Sequence, residues 1–135
     1  MNKTVLVDLD GVLADYRGWT GIENIGKPII GAKEFMQRLH DAGFHVAIYT
    51  TRCCTSVQVG YTTEQLVDIV KSWLNKHGIY FDDVWASQGK PHSIAIVGDR
   101  GVNCQPQKYD FAFEDAFDLV MGMADENWSK DTQNE

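Results

Sequence analysis

Cysteine is scarce in this chain and poorly placed for cross-linking: there are three residues, an odd count, and Cys53 and Cys54 are neighbours. That argues against a disulfide framework, and without a CxxC spacing or nearby partner ligands it also argues against a zinc site. Reducing cytoplasm is the expected location. Positive charge is short as well, with 12 Lys and Arg against 19 Asp and Glu and a formal net charge of −7. A surface of that sign repels a phosphate backbone and disfavours an extended nucleic-acid groove. A small phosphate ester or a phosphorylated nucleic-acid end, held by one cationic pocket, stays open. No basic start leads into a short apolar stretch, and no apolar run is long enough to span a bilayer, so secretion and a membrane partner are disfavoured. Internal repeats, low-complexity blocks and interdomain linkers are also missing. At 135 residues the chain is expected to form one domain over residues 1–123, followed by a polar tail, 124–135, that frays.

What is present is an alternation of strand-like and helix-like segments. The apolar run that ends at Val7 predicts a first strand, and a Gly-rich loop from Asp10 to Ile30 follows it. Helical spacing of Ala32, Phe35, Met36 and Leu39 predicts a helix over Gly31 to Ala42, with Gly43 at its C-terminal stop. His45 to Tyr49 predicts a second strand. Thr62 or Thr63 then caps a helix whose face carries Leu66, Ile69, Val70, Trp73 and Leu74. Asp83 to Ala86 predicts a weak third strand, Ser93 to Val97 a strong fourth, and Asp115 to Met123 a last helix. Strands and helices alternating at this period imply an α/β domain with a parallel sheet and helices on both faces. Such sheets bind ligands beyond the carboxyl ends of their strands. The chemically provocative residues of this chain all cluster at such ends.

The first cluster is Asp8-Leu9-Asp10-Gly11. Side chains two apart on extended backbone point the same way, so both carboxylates can share one small volume. Two negative charges held that close are costly unless a cation sits between them or one is protonated. The pair predicts either a metal site or a split acid and nucleophile couple, and Gly11 lets the backbone turn sharply behind it. After the second strand come Thr50, Thr51 and Arg52. A hydroxyl and adjacent main-chain N–H groups there suit an anionic oxygen, and a guanidinium can clamp a second part of the same ligand. Lys90, between Gly89 and Pro91, can aim an ammonium at a phosphate. Asp99 brings a third acid to a strand end, with Asn103 four residues on, and such a set suits a hard cation that takes oxygen ligands. Each signal has an ordinary explanation alone, since Asp and Gly are turn residues and Thr follows strands commonly. Their convergence is what carries weight.

The order Asp8-x-Asp10-Gly11-Val12, Thr50, Lys90 and Gly98-Asp99-x-x-x-Asn103 resembles the four motifs of the haloacid dehalogenase-like phosphohydrolase superfamily across residues 4 to 103. The resemblance implies a doubly wound, mostly parallel, Rossmann-like sheet. It also implies a magnesium-dependent phosphomonoester hydrolase that works through an aspartyl-phosphate. Asp8 would be the nucleophile and Asp10 the general acid/base. Thr50 and Lys90 would hold the transferring group. Asp8, Asp10 and Asp99 would bind magnesium, Asp10 through its carbonyl, and Asn103 would support the water shell. The fourth motif departs from the superfamily pattern by ending in Asn103 instead of a second acid. No insertion is long enough for a large cap domain, so the crevice is open to a bulky substrate, or is covered by a second subunit or by the loop carrying Tyr16 and Trp19. A signalling receiver domain is disfavoured, because its phospho-accepting Asp would end a later, central strand. A catalytically idle binding or assembly protein and a phosphotransferase remain alternatives. Cys53 and Cys54 are expected to be structural.

Overall fold

The computed structural model describes residues 3–86, 92–98 and 102–133, without the side chains of Asn103 and 125–133. In chain order the elements are β1 (Thr4–Val7), α1 (Ala32–Asp41), β2 (His45–Tyr49), a 3-10 turn (Thr51–Cys53), α2 (Thr63–Lys76), β3 (Asp83–Trp85), β4 (Ala95–Gly98), β5 (Val102–Asn103) and α3 (Ala112–Gln133). All strand pairs are parallel, in the order β3-β2-β1-β4-β5. The fold is thus the expected α/β, Rossmann-like type without a large cap. No described helix is long and apolar enough to cross a membrane.

β1 is central because its residues can be buried on both faces: Val5, Leu6 and Val7 are fully inaccessible. From β1 the chain steps to β2 and β3 in one direction, then returns to lay β4 on the other side of β1. The strand order therefore reverses between β1 and β4, where ligands bind in sheets of this kind.

Register places Val5, Val7, Val46, Ile48, Val84 and Val97 on one face of the sheet, and they form a continuous core with buried residues of all three helices. Leu6 and Ala47 point the other way and lie outside that core. The expectation of helices on both faces narrows accordingly: among the described residues the helices share one. The steps from β1 to β2 and from β2 to β3 run in the same direction, so two right-handed crossovers put α1 and α2 on the same side. Next to α1 packs α3, with the Phe35 and Phe113 rings 5.1 Å apart. No described helix lies between β3 and β4.

Helix boundaries follow local chemistry. The Thr62 hydroxyl accepts from Gln65 N, and the Gln65 side chain accepts from Thr62 N, a reciprocal cap that starts α2. α3 begins earlier than its apolar periodicity suggests and runs ten residues beyond Met123, through the stretch expected to fray. Nothing between Ala124 and Gln133 stops a helix, since that segment has neither Gly nor Pro.

Candidate active site at the carboxyl edge of the sheet

The backbone of Asp8 continues β1 by donating to the Val97 carbonyl at 2.9 Å. The chain then turns on Leu9, whose carbonyl accepts from Val12, Leu13 and Ala14. Gly11 makes the turn possible with φ of +83°, a left-handed conformation costly for other residues. Asp8 and Asp10 thereby face one crevice of about 220 Å³, as their spacing predicts. Gly11, Val12 and Tyr16 line it from the same loop, and Cys104, Gln105, Gln107 and Lys108 line it from the segment after β5. Leu9 N donates to Asp8 Oδ1 at 2.8 Å, which orients that carboxylate. Gly98 lies against Asp8, so close that a Cβ at position 98 would stand 3.4 Å from the Asp8 Cβ.

One of the two paired carboxylates, Asp10, is answered by the protein itself. Arg52 Nε and Nη2 donate to Asp10 Oδ2 and Oδ1 at 2.7 and 3.1 Å, a two-pronged pair. The remaining N–H groups of Arg52 donate to the carbonyls of Gly21 (3.2 Å), Ile22 (3.0 Å) and Asn24 (3.3 Å). All five guanidinium donors are therefore spent. Arg52 is 2% exposed, and its charge sits 4.8 Å from the Trp19 ring centroid. An arginine so engaged has no donor left to clamp a phosphate, so of the two readings open to Arg52, a ligand clamp or a partner for a protein acid, the geometry matches the second. It holds the acid and the tip of the loop behind it. Among the described residues, no buried side-chain nitrogen or oxygen lacks a partner.

That loop is fastened along its length. Asp15 N donates to the Lys27 carbonyl and Ile29 N to the Leu13 carbonyl, closing the stem at 2.8 and 2.9 Å. Trp73 Nε1 donates to the Gly26 carbonyl at 3.0 Å, which ties the loop to α2. Gln107 grips Tyr16 from the far side: its Oε1 accepts from Tyr16 N at 2.8 Å and its Nε2 donates to Tyr16 O at 3.2 Å. Instead of a free lid, the loop after Asp10 is a braced wall of the crevice.

Two solved structures are similar to this one. A crystal structure of a Vibrio cholerae protein matches over 93% of this chain and 98% of its own, with 21% identity and a TM-score of 0.56. A conserved protein from Bacteroides thetaiotaomicron matches over 84% of this chain and 92% of its own, again with 21% identity, at a TM-score of 0.51. At that identity the likeness establishes the fold. No protein-family model matches the chain, and neither does any curated protein.

Of the other expected site residues, Thr50 and Thr51 are not among the described residues lining the crevice. Thr50 Oγ1 accepts from Arg52 N at 3.2 Å and so caps the 3-10 turn that delivers Arg52. Thr51 is exposed, and its carbonyl accepts from Cys54 N. Lys90 and Asp99 lie outside the described residues, and Asn103 is described by its backbone alone, as the end of β5. Within the described residues no three acidic, His or Cys side chains gather to hold a metal ion. Asp8 and the Asp10 carbonyl offer hard oxygen donors of the kind magnesium takes.

Cys104, Gln105, Gln107 and Lys108 were not foreseen as site residues. They follow β5, a strand of two residues that is too short to show a periodic pattern. The rule that ligands lie beyond strand ends would have found them had β5 been visible. The cysteines offer no thiolate nucleophile in the crevice: burial pushes Cys104 up to about 12 and Cys53 up to about 11. Cys54 is lowered by hydrogen bonds from the side chain and backbone of Ser56.

Proposed function

We propose that this chain is a magnesium-dependent phosphomonoester hydrolase of the haloacid dehalogenase-like kind, with Asp8 as its nucleophile. The observation that carries the reading is the shared crevice of Asp8 and Asp10 at the point where strand order reverses. An Asp8 oxygen attacks phosphorus, the bond to the leaving oxygen breaks, and Asp10 passes that oxygen a proton. Asp10 then takes a proton from water, which attacks the aspartyl-phosphate, releases phosphate and restores Asp8. Arg52 occupies one acceptor site on each Asp10 oxygen, and a carboxylate oxygen has about two such sites, so a lone pair remains for the proton. Magnesium, when bound, offsets charge on the transferring group. Asp8 and the Asp10 carbonyl would hold it, with Asp99 and Asn103 implied by the resemblance. Lys90 is the cation proposed for the phosphate, and Thr50, which the resemblance implies beside it, caps the turn that delivers Arg52.

The test is hydrolysis of an aryl phosphate with magnesium present and then chelated, in the native protein and in Asp8→Asn. Hydrolysis is expected to need the metal and to vanish in the variant, whose urea midpoint stays close to native. Native-level turnover by Asp8→Asn would overturn the assignment. Adding a competing alcohol distinguishes transfer to water from transfer to an acceptor, by the ratio of free phosphate to new ester.

A further inference from the structure

We infer that Tyr16, held in place by Gln107, forms the subsite for the leaving alcohol, and that the substrate is a phosphomonoester whose alcohol carries a planar ring. Nucleoside 5′-monophosphates are the class that fits. The inference rests on the phosphatase reading above and names the substrate of that same crevice.

An aromatic that only pins its loop to the core is expected to be buried. Tyr16 keeps 42% of its surface exposed while lining the crevice of Asp8 and Asp10, which puts it where the crevice meets solvent. Its loop is pinned by other means. Both polar groups of its main chain are bound by the Gln107 amide, across 91 positions of sequence. The same Gln107 reaches the turn behind the acid, since a Cβ on Gly11 would stand 4.0 Å from its Oε1. One side chain thus ties the Tyr16 main chain to the segment after β5 and lies beside the turn that follows Asp10, and Gln107 is a positioning residue. Trp19, the other aromatic of the loop, has a structural contact of its own in the Arg52 guanidinium.

Size points the same way. At about 220 Å³ the crevice is smaller than the roughly 300 Å³ at which pockets enclosing a whole ligand begin. It holds a phosphate and the first atoms of its alcohol, and the rest of the substrate emerges past Tyr16. A rigid ring there stacks on any base without reading its edge, because every base has a π-face. Lys108 lines the same crevice, is exposed, and has no ion pair among the described residues, so its charge favours an anion's approach.

The test compares adenosine 5′-monophosphate with ribose 5-phosphate, which release the same primary alcohol and differ by the base. With magnesium, kcat/KM is expected to favour the nucleotide by about tenfold, or 1.4 kcal/mol, mostly through KM. Tyr16→Ala should bring the ratio near unity, Tyr16→Phe should keep it, and Gln107→Ala should lower it in a protein that still melts cooperatively. Calorimetric binding of both compounds to Asp8→Asn separates the two claims. If neither compound is turned over but the nucleotide still binds about tenfold tighter, the hydrolase reading fails and the subsite stands. Turnover of both at equal kcat/KM overturns the subsite and leaves the hydrolase, as does a nucleotide preference that survives Tyr16→Ala.

Discussion

Arg52→Ala separates two roles that a guanidinium can have beside paired carboxylates. A clamp for substrate phosphate, once removed, weakens phosphate binding and leaves the folded state alone. A brace, once removed, leaves an acid and three loop carbonyls without their donor. The five hydrogen bonds of Arg52, all to protein oxygens, describe a brace. Removing one partner of a buried ion pair typically costs about 3–5 kcal/mol. Asp10 is 18% exposed and partly rehydrates, so the loss belongs at the low end, about 3 kcal/mol. For a domain of this length that is a fall in Tm of roughly 10 °C. Arg52→Lys restores the charge with three donors and no planar fork, and is expected to recover about half of the loss. Urea unfolding of the substrate-free protein measures both. If Arg52→Ala unfolds within about 0.5 kcal/mol of the native protein, the range of ordinary surface changes, and binds phosphate poorly, the brace is refuted and the clamp restored.

Removing the reciprocal cap of α2 with Thr62→Ala is expected to cost about 1 kcal/mol in urea unfolding, with turnover unchanged because Thr62 is remote from the crevice lining; an unchanged midpoint would mean that the cap adds nothing. Gly26→Ala would place a Cβ 2.0 Å from the Asp15 carbonyl oxygen, so the loop stem must shift, and a loss of about 2 kcal/mol or more is expected together with reduced turnover. A variant as stable and as active as the native protein would show that the stem gives freely. Burial raises Cys53 and Cys104 from 9.0 to about 11 and about 12, so the folded state holds these protons longer than the unfolded one. Their contribution to stability is complete below pH 9 and declines as pH rises from there through 11 and 12, by about 1.4 kcal/mol per pH unit for each titrating thiol. Urea midpoints across that range should fall less steeply in Cys104→Ala; equal slopes in the variant and the native protein would contradict the burial effect.

The parts of the fold legible in the residue pattern are those where one period dominates a segment. The spacing of Phe35, Met36 and Leu39, the run from His45 to Tyr49, and Thr62 ahead of an apolar stripe each point to one structure, and each forms it. The failures come where length or direction decides instead of period. β5 has two residues and shows no alternation at all. α3 runs on because nothing interrupts it, not because an apolar face demands it. The helical layer on a single face follows from the direction of two successive crossovers. That is a property of strand order, which no local pattern records.

The site divides along the same line, and the division bears on which partner Arg52 takes. That Asp8 and Asp10 share a crevice is what their i, i+2 spacing at a strand end predicts, and the chain keeps both on the crevice although it turns on Leu9 between them. Which positive charge answers them is a matter of competition, and competition is global. Arg52 follows a strand neighbouring β1 and so arrives within reach of Asp10, as a phosphate clamp also would. What commits it to the protein is the loop between β1 and α1, which turns three main-chain carbonyls, at Gly21, Ile22 and Asn24, toward the same guanidinium. Carbonyls leave no mark in a sequence, since every residue has one. The consequence is functional as well as structural. With Asp10 and the loop tip bound to a single buried cation, Asp10 cannot move without the wall of the crevice, and under the proposed hydrolase reading the acid is positioned before a substrate arrives.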